Sequence, residues 1–370
     1  MTDVPQDPQQ LMHSIIQRIA TGPEFSKNIS RQEAEAGMRS ILNASADPVH
    51  AAIFLIALRM KRETMEENLG IHDAILACTE RVTAAVDEVV DIADPYDGYA
   101  RCLPATPFLP PLLAELGVPA VNHGVDAVGP KYGVTARHVL RAAGVNVDLS
   151  PRDAAARLSD PALGWAYVDQ AQFCKPLHEL IALRQRIVKR QAVTTIETEA
   201  KPISGRIRTH FVTGYVHKPY PPIYAALARN AGFDSALIIR GVEGGVAPSL
   251  RQAGRYTAYH GANPEAEFEV DPAALGIVQT IRAVPRPDAL PKSDLHGDEV
   301  ALMVDVKATA QAAAEAGLAA LAGKRGPTYD SLALVAAMIL NHVGKAASLA
   351  EGADLARAAL DSGKALARVQ

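Results

Sequence analysis

The chain has 370 residues, 48% of them hydrophobic and 21% charged, with a formal net charge of −4. That composition excludes a disordered chain and a protein coated in positive charge for nucleic acid, while leaving room for a local basic groove. Its three cysteines, Cys78, Cys102 and Cys174, are far apart and odd in number, so neither a disulfide framework nor a zinc spacing is visible and they read as packing residues.

The polar start MTDVPQDPQQ lacks a basic region followed by an apolar one, so no signal peptide is expected. The longest clean apolar run, Leu332–Leu340, falls far short of the ~20 residues of a spanning helix. A cytoplasmic protein without membrane contact is expected. Residues 9–82 read as helices. Leu11, Ile15, Ile16 and Ile19 share one face of the first, Ser30 with Glu33 forms a capping box, Asp47-Pro48 opens a mostly buried helix, and Thr64 with Glu67 opens another. Nothing strand-like is expected before Val86.

Strands and helices then alternate. The run Val89–Ile92 is a short strand stopped by the turn signal DPYDG; Phe108–Leu116 reads as a buried helix with Pro107, Pro110 and Pro111 near its first turn. Val118–Val121 is the next strand, ending at Asn122-His123-Gly124. A helix from Thr135 to Gly144, one after Ser150-Pro151 and a strand over Gly164–Asp169 follow. Such alternation implies a mainly parallel sheet, whose ligands bind outside the carboxyl ends of the strands. A small molecule is therefore expected between DPYDGYAR and NHGVDAVGPKYG.

Residues 173–192 read as one basic helix, either a solvated face or an anion surface. Residues 209–216 and Ser235–Arg240 are strand-like, with a helix closed by Gly232 between them and the glycine-containing loop RGVEGGV after them. Residues 256–300 are Pro-rich, with polar strands in YTAYHG and EAEFEV. The end is helical over Ala308–Ala322, Ser331–Val343 and Leu349–Arg368.

In this order the chain resembles the anthranilate phosphoribosyltransferase-like family, glycosyltransferase family 3. The resemblance rests on SRQEAEAGMRSIL and AAIFLIALRMKRETMEENLG at the front, and on LAGKRGPTYDSLALVAAMIL and GKAASLAEGADLARAALDSGKAL at the back. It implies an α/β fold of the nucleoside phosphorylase/phosphoribosyltransferase class: a small all-helical domain joined to a larger α/β domain with a mainly parallel sheet flanked by helices. Residues 1–85 would form the helical domain, with helices near 171–192 packing onto it; 86–170 and 193–370 would form the α/β domain. The resemblance further implies a homodimer through the helical domain, and a pentosyl transfer like that of tryptophan biosynthesis, from a phosphoribosyl donor, in the inter-domain cleft.

That chemistry needs an anion cradle, Mg2+ to neutralise the leaving pyrophosphate, and an acceptor site. The family's loop GTGGDG is DPYDGYAR here, so Asp94, Asp97 and Gly98 stand at the donor position, and Asp94 and Asp97 would repel a phosphate unless a cation intervened. Thr106 falls at a hydroxyl position near metal and phosphate, or is an ordinary helix N-terminal residue. In NHGVDAVGPKYG, His123, Gly124, Lys131 and Gly133 match the family's KHGNRAVSSKSG; His123 reads as a structural hydrogen-bonder and Lys131 as the better anion ligand. The family's acidic pair in GGMDEV survives only as Glu243, the candidate Mg2+ ligand, beside Gly244. LRQ (Leu183–Gln185) matches VRQ and places Arg184 where the acceptor carboxylate is met. Arg190 also matches; a surface salt bridge is the alternative for both.

The altered glycine loop resembles that of the family's divergent second branch, which includes nucleic-acid-binding proteins. The competing expectation is therefore a single-stranded nucleic acid on a basic cleft or groove. Its candidates are Lys175, Arg184, Arg186, Lys189, Arg190, Lys201, Arg206, Arg208, His217 and Lys218, interleaved with Tyr215, Tyr220 and Tyr224.

Overall fold

The computed structural model describes residues 7–22, 24–291 and 305–369. Most of the polar start read for a leader, and the end of the Pro-rich stretch, lie outside them. Four helices open the described chain: α1 (Pro8–Ile19), α2 (Arg31–Leu42), α3 (Pro48–Lys61) and α4 (Met65–Cys78). Ser30/Glu33 and Thr64/Glu67 are reciprocal capping boxes at the starts of α2 and α4. Glu67 is buried, yet its carboxylate also takes Lys61 Nζ at 2.7 Å and the Ile29 N–H at 2.9 Å, so its charge is paired and bonded. The α2/α4 contact is close because Gly70 has no side chain; a Cβ there would lie 2.2 Å from the Arg31 carbonyl oxygen.

The sheet follows: β1 (Val82–Thr83), β2 (Glu88–Ala93), α5 (Leu109–Glu115), β3 (Ala120–Gly124), α6 (Ala136–Ala142), α7 (Pro151–Ser159) and β4 (Trp165–Asp169). The short helices α8 (Gln170–Phe173), α9 (Lys175–Glu179) and α10 (Ile181–Ile187) come next. Then come β5 (Ile203–Ser204), β6 (Arg208–Tyr215), α11 (Tyr220–Ala231), β7 (Ser235–Arg240), β8 (Gly254–His260) and β9 (Ala266–Val270). Four helices close the chain: α12 (Val306–Leu321), α13 (Pro327–His342), α14 (Leu349–Ser362) and α15 (Lys364–Ala367).

The main sheet has seven strands in the order β4-β3-β2-β6-β7-β8-β9. The first five are parallel; β8 and β9 are antiparallel. Both faces are covered, as a parallel sheet requires. On one side Val90, Ile92 and Leu237 join a core with α5, α6 and α12–α14. On the other, Val89, Val121 and Ala166 join a core that continues into α1–α4. The helical domain thus packs onto the sheet around the cleft. α10 and the turn Ala192–Thr195 pack on α3, and α9 packs on α4.

Three expectations need correction. A two-residue strand, β1, does occur before Val86, paired in parallel with β5; two residues are too few to show alternation. The basic segment 173–192 is not one helix. Pro176 has no N–H to continue the ladder from α8, and Val188 turns to φ 68° at the end of α10. The last helix breaks at Gly363, which adopts a left-handed φ of 68° between α14 and α15.

Candidate functional site

The carboxyl ends of β2, β3, β6 and β7 meet the wall made by α3 and residues 190–198. Between them lies a cavity of about 180 Å3. Arg59 comes from α3; Arg190, Thr194 and Thr198 come from the segment after α10; Thr213, Tyr215 and His217 come from the end of β6 and beyond. Tyr96, Asp97, Tyr220, Tyr224 and Glu243 also line it. Arg59, Thr194 and Thr198 were not singled out in the sequence. Only the basic run RMKR around Arg59 offered a signal.

The loop after β2 is built from internal bonds. Tyr96 OH lies 2.5 Å from His123 Nδ1, and His123 Nε2 lies 2.7 Å from Asp91 Oδ1, all buried. Burial pushes the Tyr96 phenol well above its ordinary value, with nearby Glu197 adding to the effect. Tyr96 therefore keeps its proton and donates to Nδ1, leaving Nε2–H to donate to Asp91. His123 is thus held between two partners behind the cleft wall. Asp94 accepts from Tyr99 OH at 2.9 Å and from the Val246 N–H at 3.2 Å. Its burial outweighs those bonds and pushes its carboxyl up to about 6. Gly245 makes room for Tyr99; a Cβ there would sit 1.6 Å from the phenol oxygen.

Asp97 is 2% exposed at its side chain and lies between two cations, Lys131 Nζ at 3.0 Å and Arg190 Nη2 at 2.5 Å. Its carbonyl accepts the Gly133 N–H, and Tyr99 and Val134 exchange backbone bonds in both directions. Gly98, at φ 74°, touches Gly133 backbone to backbone, and a Cβ would lie 2.6 Å from the Gly133 carbonyl carbon. The two loops expected to flank a ligand are therefore bonded to each other.

Glu243 binds the same loop. Its carboxylate accepts the successive N–H groups of Ala100 at 3.0 Å and Arg101 at 2.8 Å, and the Cys102 thiol lies 3.3 Å away. Burial first, then Glu243, pushes that thiol well up, so Cys102 stays protonated and can donate. These residues do not fit a magnesium site. The carboxylate expected to hold Mg2+ already faces three donors, and Gly244 supplies no second one.

The remaining candidates scatter. Arg184 is corrected most sharply: it is buried in a two-pronged pair with Glu197 at 2.6 and 2.7 Å, and its Nε donates to Gln191, so the guanidinium faces no acceptor pocket. Lys201 is likewise turned inward, onto the Gly232 carbonyl. Arg206 and Arg208 pair with Asp87 and Glu88 at the amino ends of β2 and β6, the far end of the sheet from Arg190. Lys175 faces Glu179 on the same turn of α9, while Arg186 and Lys189 are exposed. These cations do not form one stripe with Arg190. Thr106 is buried at a 3₁₀ turn with its hydroxyl unbonded, and Gly124 ends β3 beside Tyr167. Lys218 lies outside the cleft, in a separate depression with Arg240.

Residues 13–78 match the model of the glycosyl transferase family, helical bundle domain. An anthranilate phosphoribosyltransferase of Bradyrhizobium is 27% identical over 97% of both chains. An uncharacterised protein of Aquifex aeolicus is 30% identical over 60% of this chain and 65% of its own. The fold also superposes on anthranilate phosphoribosyltransferase from Thermus thermophilus, with TM-score 0.70 and 17% identity over 97% of each chain. The Saccharomyces cerevisiae enzyme in complex with PRPP and Mg gives TM-score 0.70 and 16% identity over 97% of this chain and 96% of its own. Residues 13–78 thus carry the helical bundle domain of the glycosyl transferase family, and the chain as a whole is similar in sequence and in fold to anthranilate phosphoribosyltransferases. Among the described residues no helix is long and apolar enough to cross a membrane.

Proposed function

We propose that this protein holds a small phosphorylated ligand of the sugar-phosphate class in the inter-domain cleft, and that it does not carry out ordinary anthranilate transfer. The observation that carries this reading is the lining of the cavity. The Arg59 guanidinium spends one N–H on Tyr220 OH at 2.9 Å, faces Glu63 at 3.6 Å and keeps further donors; Thr194 brings an unpartnered hydroxyl, while Thr198 and Thr213 donate theirs to Glu199 and to the Ala93 carbonyl and can still accept from a sugar. Two features of the ordinary reaction lack their residues: the acceptor arginine, since Arg184 is committed to Glu197, and the metal carboxylates, since Glu243 is committed to Ala100 and Arg101.

Calorimetry with ribose 5-phosphate as probe, at low salt and without metal, is expected to give saturable binding that weakens at least tenfold in Arg59→Gln. No heat at millimolar probe, together with a gel shift on a single-stranded oligonucleotide whose affinity falls with salt, would replace this reading with the nucleic-acid one. In either case no product is expected from anthranilate, PRPP and magnesium.

We also propose that the chain pairs with a second copy through the helical domain. Val49 and Met60 are exposed large apolar side chains on α3, with Ile53 and Ile56 partly exposed between them, a spacing that makes one stripe. Light scattering should return twice the monomer mass, shifting to the monomer in Met60→Asp; a monomeric wild type would remove the proposal.

A further inference from the structure

We infer that Asp97 sets the ligand class of the cleft, by acting as an internal anion that excludes pyrophosphate-bearing ligands from Lys131 and Arg190. This rests on the proposal that the cleft takes a phosphorylated small molecule, and it specifies which phosphorylated molecules are refused. Lys131 follows β3 and Arg190 follows α10, yet both reach the same carboxylate, at 3.0 and 2.5 Å. Two cations from separate elements converging on one buried anion are what a phosphate group asks of a protein. Here the chain supplies that anion from its own loop.

The carboxylate is held in place. The Gly133 N–H binds the Asp97 carbonyl, Tyr99 and Val134 pair on the next residues, and Gly98 lies so close to Gly133 that a Cβ would sit 2.6 Å from its carbonyl carbon. A pyrophosphate seeking Lys131 and Arg190 meets a fixed like charge where its oxygens would lie, and cations already neutralised. A single phosphate approaching Arg59 on the helical wall meets a looser pairing, since Glu63 lies 3.6 Å from one Arg59 nitrogen while another donates to the neutral Tyr220 OH, against 3.0 and 2.5 Å from Asp97 to its two cations.

Inorganic pyrophosphate and ribose 5-phosphate, each titrated calorimetrically without metal, test this. Wild type is expected to show no pyrophosphate binding at about 1 mM, the scale of a weak site. Asp97→Asn should gain at least tenfold in pyrophosphate affinity, and adding Lys131→Gln to it should remove the gain. Submillimolar pyrophosphate binding by wild type overturns the inference without need of any variant, and so does a folded Asp97→Asn protein that gains nothing. Should Asp97→Asn fail to fold, Asp97→Ser carries the same expectation, and a wild type that takes ribose 5-phosphate while refusing pyrophosphate supports it. Failure of wild type to bind ribose 5-phosphate, with the pyrophosphate gain still present in the variant, would sink the sugar-phosphate reading and leave the role of Asp97 standing.

Discussion

Replacing Arg184 by methionine is expected to destabilise the protein by about 3–5 kcal/mol, the usual cost of leaving one member of a buried ion pair without its partner. The side chains of Arg184 and Glu197 are 1% and 0% exposed, and two parallel N–H···O bonds join them. Methionine fills much of the arginine's volume, so the loss reports the stranded Glu197 charge and not a cavity. Gln170 would remain its hydrogen-bond donor, at 3.1 Å. The double variant Arg184→Met/Glu197→Leu should recover most of the loss, because a packed apolar pair of similar volume does as well as a buried salt bridge. Denaturant unfolding of the three proteins measures this. If Arg184→Met left stability unchanged and altered only ligand affinity, Arg184 would belong to an acceptor site after all.

Lowering the pH from 6.5 toward 4 should remove stability through two buried histidines. His72 is fully buried, with Nε2 donating to the Glu199 carbonyl at 3.1 Å and Nδ1 facing Asn230 Nδ2 at 3.2 Å. Burial is the largest influence and pushes its pKa down to about 4. His342, stacked on His260 and 2.8 Å from Ser235 Oγ, is pushed down to about 3 by burial and then by the neighbouring His260 and His210. Both are neutral in the folded and unfolded chains above pH 6.5, so they contribute no pH dependence there. Below 6.5 the unfolded chain takes up protons that the folded chain refuses. Stability therefore falls with pH until the folded values are reached. A tenfold change in a proton's affinity is worth roughly 1.4 kcal/mol, so His72 alone accounts for about 3 kcal/mol across its window. Asp94, raised to about 6, works the other way, since the folded chain binds its proton first. Comparing wild type with His72→Gln and His342→Gln in unfolding curves at pH 7 and pH 4.5 isolates the histidines. Each variant should lose less stability on acidification than wild type, and equal losses would refute the assignment.

Much of the fold was legible because its signals are local. The boxes Ser30/Glu33 and Thr64/Glu67 act within one helical turn, and the β-branched runs at Val89–Ile92 and Ser235–Arg240 mark strands whatever surrounds them. The segment 173–192 misled because its apolar and basic spacing is helical, while one proline at 176 overrides that spacing. The place of the cleft was legible too, since a parallel sheet presents its loops at one end.

The roles of individual charges were not. Asp97 and Arg190 are 93 residues apart, and Glu243 lies 143 residues from the Ala100 N–H that it accepts. Arg184 and Arg190 occupy the same basic run and look alike in it, yet one is sealed against Glu197 and the other faces the cleft. Capping, periodicity and turn chemistry operate over a few residues, so the chain alone carries the helices, the strands and the loop DPYDGYAR at the mouth of the sheet. A charge takes its meaning from the dielectric around it and the partner at 3 Å, as Asp97 does from Lys131, and both exist only once distant segments have packed.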